Sequence, residues 1–103
     1  MAVIETHIDR HSSDFVENKQ YFQQLIEQLN LNIQQVHQGG GENAIAKHRK
    51  RNKLLVRERI QLLCDPDTPF LELSPLAAWN MYNNDAPAAG IVTGIGLVEG
   101  KNV

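Results

Sequence analysis

One long apolar stripe constrains this chain more than any other feature. Phe15, Phe22, Leu25, Ile26, Leu29, Ile33 and Val36 recur at steps of three, four and seven residues. That spacing aligns side chains along one face of an α-helix. Glu, Gln, Asn and Lys fill the other face. Ser12, Ser13 and Asp14 each offer an oxygen to free backbone amides, and Asp14 with Glu17 imitates a capping box, so the helix is expected to begin there. Gly39-Gly40-Gly41 stops it. Such a stripe must be buried against another surface, and the rest of a 103-residue chain offers few.

The segment from Glu42 to Cys64 is helical in propensity, but Asn52 interrupts it among charged neighbours. Asn tolerates the left-handed conformation that ends helices. A helix from about Glu42 to Arg51, a turn at Asn52-Lys53 and a second helix from about Leu55 to Cys64 are therefore expected. Asp65-Pro66-Asp67-Thr68-Pro69 then closes the helical half. Phe70-Leu71-Glu72-Leu73 reads as a short extended piece, and Ser74 to Ala89 as an irregular connection. Ile91 to Val98 reads as one strand, with Ile91, Thr93, Ile95 and Leu97 on one face and Gly94 and Gly96 on the other. Glu99-Gly100-Lys101-Asn102 is expected to be a hairpin turn whose return strand starts at Val103. A hairpin without its second strand leaves unpaired edge groups, so the chain is expected to be a truncated piece of a longer domain.

Length and composition narrow the class. With 42% hydrophobic and 6% aromatic residues, the chain suffices for one small domain with little margin in its core. Its formal charge of -2 lacks the strongly basic balance of nucleic-acid binders. A single cysteine, Cys64, forms no internal disulfide and points to a reducing compartment. Glu5 and Asp9 in the opening residues argue against a signal or transit peptide, and no apolar run is long enough to span a membrane. A soluble cytoplasmic protein is the expectation.

Charge is concentrated locally. Lys47, Arg49, Lys50, Arg51, Lys53, Arg57 and Arg59 supply seven of the ten basic residues, opposed only by Glu58. Arg presents a bidentate fork to phosphate or carboxylate, Lys a compact charge, and free amides at a helix start near Leu55 would add to an anion site. A solvated helix face, an anion-binding surface and a nucleic-acid groove all accommodate such a run, although the aromatic interleaving of the last is absent. The glycine triplet follows a helix and lacks the Gly-Lys-Ser/Thr ending of a phosphate loop. Gly94-x-Gly96 lies inside a strand, where close backbone packing is the better account. His7, His11, His37 and His48 show no ligand spacing and are expected on the surface, and no metal site is expected. Cys64 reads as a small core residue, and Trp79 and Tyr82 as packing anchors. No acid/base or nucleophile–base pair can be assembled.

Several blocks share type, spacing and order with one family. Gly39-Gly40-Gly41-Glu42, Lys47-His48-Arg49-Lys50-Arg51-Asn52-Lys53-Leu54-Leu55-Val56-Arg57-Glu58-Arg59-Ile60, Asp65-Pro66, Phe70-Leu71-Glu72-Leu73-Ser74 and Ala88-Ala89-Gly90-Ile91-Val92-Thr93-Gly94-Ile95-Gly96 closely resemble the β subunit of biotin-dependent acyl-CoA carboxylases. The 3-methylcrotonyl-CoA carboxylase branch fits best. Asn52 stands where the family usually has Gly, and Asp67 where the turn often has Gly; both suit turns.

The resemblance implies an α/β, crotonase-like carboxyltransferase represented by its N-terminal part: a long helix, two shorter helices and the first β-hairpin of the core. Residues 1–38 would form a helical arm and residues 39–103 the start of the N-terminal carboxyltransferase domain. The implied activity moves a carboxyl group from carboxybiotin to an acyl-CoA, 3-methylcrotonyl-CoA in leucine breakdown or else geranyl-, propionyl- or acetyl-CoA. Biotin would ride on a partner α subunit carrying biotin carboxylase and biotin carrier functions, since this chain lacks the Met-Lys attachment motif. Other β subunits would be further partners; no nucleic acid or membrane is expected. The amides that stabilise the enolate lie beyond Val103 in the family, so no catalytic residue is expected here and the chain alone should be inactive. Arg51, Lys53 and Arg57 are expected near the CoA phosphates. A non-enzymatic helical interaction module is the alternative.

Overall fold

A computed structural model describes Met1–Val103 in full. Three helices lead: α1 (Ser13–His37), α2 (Glu42–Lys50) and α3 (Val56–Leu63). Four short strands follow: β1 (Leu71–Leu73), β2 (Thr93–Ile95), β3 (Leu97–Val98) and β4 (Lys101–Asn102). Two compact units divide the chain, Met1–Leu31 and Asn32–Val103. No helix is long and apolar enough to cross a membrane.

The first unit holds the start of α1. Ser12 is its N-cap: the Ser12 hydroxyl accepts from the Phe15 amide at 3.2 Å and donates to the Asp9 carbonyl at 2.9 Å. The expected Asp14/Glu17 box gives way to Ser12 because the helix begins at Ser13, which puts Phe15 at the third helical position, where a capping oxygen finds its amide. Along this unit the stripe residues Phe22, Leu25, Ile26 and Leu29 are exposed.

In the second unit, α1 ends as the glycine triplet requires. Gly39 adopts a left-handed φ of 70° and its amide bonds the Val36 carbonyl at 3.0 Å, a helix stop that a β-carbon would strain. Here the stripe is covered: Ile33 is half-buried and Val36 is only 3% exposed. Asn52 makes the α2–α3 turn with φ 55°, its amide bonded to the Arg49 carbonyl at 2.8 Å, while Lys53 donates to His48 at 3.3 Å. Asp67 is left-handed as well, at φ 59°.

The strands correct two expectations. The single strand over Ile91 to Val98 is divided, because the chain changes partner at Gly96. Up to Ile95 it pairs with β1, antiparallel, in the register Leu71↔Ile95, Glu72↔Gly94, Leu73↔Thr93. From Leu97 it pairs with β4, Leu97↔Asn102 and Val98↔Lys101. Gly96 and Val103 exchange both backbone bonds, at 3.0 and 2.9 Å. The return strand therefore starts at Lys101, earlier than expected. Glu99 (φ 50°) and Gly100 (φ 73°) alone form the turn, the two-residue primed geometry that matches strand twist.

The two faces expected of this segment differ in burial. Ile91 and Ile95 are exposed, while the glycine face is covered. A β-carbon on Gly94 would lie 2.3 Å from Phe70 Cζ and 2.5 Å from the Leu71 carbonyl oxygen, and one on Gly96 would lie 2.7 Å from Cys64 Sγ. The glycines are there because Phe70 and Cys64 occupy the space a side chain would need. The connection from Ser74 to Ala89 is irregular as expected, with short 3₁₀ turns at Tyr82–Asn84 and Pro87–Gly90. It is tied to itself by an Ala89 amide to Ala77 carbonyl bond of 3.0 Å.

Candidate anion-binding surface

The basic cluster is sorted by two carboxylates. Glu58, in the first turn of α3, reaches back with one oxygen to the Leu55 amide at 2.8 Å and with the other to the Arg49 guanidinium at the end of α2. Glu72 on β1 receives the Arg57 fork in bidentate fashion, at 2.5 and 2.8 Å. His37, the last residue of α1, places Nε2 3.3 Å from a Glu72 oxygen. Glu72 thus joins α1, α3 and β1. Its side chain is only 13% exposed.

These contacts hold both carboxyls below the usual carboxylate range. For Glu58 the Arg49 hydrogen bond leads, with the Leu55 amide adding to it. For Glu72 the Arg57 hydrogen bond outweighs an opposing desolvation, and His37 contributes a smaller effect. A bidentate guanidinium stabilises the ionised carboxylate far more than a solvated lysine does.

Of the three residues expected near CoA phosphates, the structure separates two from the third. Arg51 and Lys53 flank Asn52 in the exposed α2–α3 turn and lie outside the ion pairs. Arg57 is half-buried, with its fork on Glu72. The helix start near Leu55 is also less open than expected, since the Leu55 amide is already taken by Glu58.

Sequence reasoning missed four residues. Glu58 carried a signal, standing three positions after the helix start, where a carboxylate reaches back to an amide. Glu72 and His37 lie on separate elements and only the fold brings them to Arg57. Asp65 appeared merely as a turn former. Its carboxylate instead accepts from both the Glu99 and Gly100 amides at 2.8 Å, and its own amide donates to the Leu97 carbonyl at 2.8 Å.

Beside the basic turn lies an open, mainly apolar cleft of about 450 Å³, bordered by Val36, Ile45, His48, Leu55, Ala88 and Val92 among others. Trp79 is half-buried and Tyr82 exposed. Chemically, the surface offers the exposed cations Arg51 and Lys53 for an anion next to apolar lining, and no nucleophile–base pair accompanies them.

Comparison with known proteins identifies the origin of this arrangement. The sequence model of the carboxyl transferase domain matches residues 47–103. The chain is 42% identical over 101 residues to the mitochondrial methylcrotonoyl-CoA carboxylase β chain of Arabidopsis thaliana, covering 98% of this chain and 17% of that protein. It is 51% identical over 77 residues to the biotin-dependent 3-methylcrotonyl-coenzyme A carboxylase β1 subunit of Mycobacterium tuberculosis, covering 75% of this chain and 15% of that one. The crystal structure of the β subunit of P. aeruginosa geranyl-CoA carboxylase superposes with a TM-score of 0.79 at 34% identity, over 98% of this chain and 19% of that subunit. The chain thus spans about a sixth of the length of these relatives. Its long helix, two shorter helices and first strand pairs correspond to part of the crotonase-like α/β fold of such a subunit. By sequence and by fold, the chain belongs to the carboxyl transferase domain family.

Proposed function

We propose that this chain is part of the carboxyltransferase subunit of a biotin-dependent acyl-CoA carboxylase, with 3-methylcrotonyl-CoA as the substrate. The match of residues 47–103 to the carboxyl transferase domain carries the proposal, because that segment includes the basic turn, the Glu72 junction and the strand pairs. The similarity to methylcrotonoyl-CoA carboxylase β chains, at 42% and 51% identity against 34% for the geranyl-CoA carboxylase, favours that substrate over geranyl-CoA. Within the proposal, residues 1–38 are an arm and residues 39–103 open the carboxyltransferase domain.

Arg51 and Lys53 receive CoA phosphates at the exposed turn. Arg57 contributes by fixing α3 to β1 through Glu72, its fork being occupied. The other participants are a biotin-carrying subunit and further copies of the same subunit, in the cytoplasm. Carboxybiotin delivers the activated carboxyl group when bound. No residue of this chain fits an attachment role, as Met1 precedes Ala2 and Met81 precedes Tyr82 where a Met-Lys pair is needed.

The test is to express the complete reading frame containing residues 1–103, combine it with a biotinylated α subunit, and follow bicarbonate incorporation into 3-methylcrotonyl-, geranyl-, propionyl- and acetyl-CoA. Preferential carboxylation of 3-methylcrotonyl-CoA is expected. Free CoA should bind the same protein, and Arg51→Ala with Lys53→Ala should weaken binding about tenfold or more, each phosphate contact being charge-assisted. Absence of incorporation, with indifference to CoA and tight self-association, would instead identify a helical interaction module.

A further inference from the structure

From the contacts of Glu58, we infer that this residue is a positioning residue for the anion-binding turn: one carboxylate clamps both ends of the Arg51–Leu54 segment, so that Arg51 and Lys53 are presented in a fixed arrangement. The inference rests on the CoA-phosphate reading of that turn and assigns Glu58 a role within it.

The geometry is specific. One Glu58 oxygen holds Arg49, the penultimate residue of α2, and the other holds the amide of Leu55, the residue before α3. The turn residues between these two anchor points are exposed, and the bonds inside the turn are few: Arg51 to His48 at 3.1 Å, Asn52 to Arg49 at 2.8 Å and Lys53 to His48 at 3.3 Å. All three arise from the α2 side. The bridge through Glu58 is the side-chain link from that side to α3. Without it, α3 could move relative to the turn, and two long cationic side chains would lose more conformational freedom on meeting a phosphate. A preorganised pair of cations binds an anion more tightly than a loose pair of the same charge.

Charge alone predicts the opposite. Glu58 is an anion within a cationic patch, and Glu58→Gln both removes a repulsive charge and releases the Arg49 guanidinium, so a purely electrostatic bystander would yield tighter CoA binding. Positioning predicts weaker binding. Glu58→Asp separates the two without changing charge, since a side chain shorter by one methylene cannot span Arg49 and Leu55 together.

Free CoA is titrated by calorimetry into the complete reading frame and its Glu58→Gln, Glu58→Asp and Arg51→Ala variants, with circular dichroism and a thermal midpoint for each. The expected result is CoA affinity about five- to tenfold lower in both Glu58 variants, at unchanged helical content. Binding by Glu58→Gln at or above the affinity of the parent would overturn the inference, as would Glu58→Asp equal to the parent. Either outcome leaves the CoA site intact if Arg51→Ala still weakens binding. A parent protein that binds no CoA refutes the site itself, and the positioning role with it. If Glu58→Gln does not fold, Glu58→Asp decides.

Discussion

At Glu72, three elements depend on one carboxylate, and that makes the residue a measurable stability contributor. Removing the guanidinium by Arg57→Ala leaves a largely covered anion with only His37 beside it; a loss of about 1–3 kcal/mol is expected by urea denaturation at pH 7. The pH dependence follows from the sign of the shift. Glu72 in the folded chain titrates below its ordinary value of 4.5. Its contribution is therefore fully present above pH 4.5 and is lost as pH falls through the lower folded value. Glu72→Gln should be less stable than the parent at pH 7, and the difference should shrink on acidification towards pH 3. Gly94 tests packing at the same scale. A β-carbon there meets the Phe70 ring and the Leu71 carbonyl, so Gly94→Ala should cost about 1–3 kcal/mol by overpacking. Gly40→Ala, whose β-carbon would meet only Ala44 Cβ at 3.2 Å, should cost less. The turn-forming roles of Asn52 and Asp67 were legible in the sequence, because residue type and a left-handed φ are directly linked. The partners of Arg57 were not, since nothing local in a chain tells an arginine fork which of several distant carboxylates will face it.

Elements are held to one another here by backbone bonds that residue patterns hide. The Glu99-Gly100 turn is capped from outside by Asp65, which follows α3 by sequence and meets the turn only after the chain has passed through β1 to β3. Asp65→Ala removes the acceptor for two amides and should raise their hydrogen-exchange rates about tenfold or more, with about 1–3 kcal/mol lost in stability. The amides of Gly96 and Val103 should be less affected, because each donates to the other residue's carbonyl. The helices were readable because apolar periodicity, a glycine stop and an asparagine break all act within a few residues. The strands were readable only as apolar, β-branched runs. That β2 and β3 are separate strands depends on which partner each meets, and partner choice is a long-range property that alternation along one segment does not encode.

For the whole molecule the governing quantity is how little is enclosed. Val36 and Ala88 are the only apolar side chains that are buried, at 3% and 5% exposure, while Leu62, Leu63, Leu71 and Ile91 in the same unit and Phe22 and Ile26 on α1 stand open. Folding must offset roughly 1–2 kcal/mol of backbone entropy per ordered residue, and a core of two side chains supplies a small part of that. The chain matches about a sixth of the length of its relatives, and such surfaces are the kind that further polypeptide covers. Isolated residues 1–103 should therefore bind an apolar dye such as ANS and unfold in urea without a steep transition, while the complete reading frame should bind little dye and unfold cooperatively. The slope of a urea transition scales with the surface that folding hides, so the two proteins should differ in slope as well as in midpoint. A steep two-state transition of the isolated chain without dye binding would mean that the helices and strand pairs stabilise themselves, and that the open apolar faces are ordinary solvent-exposed surface.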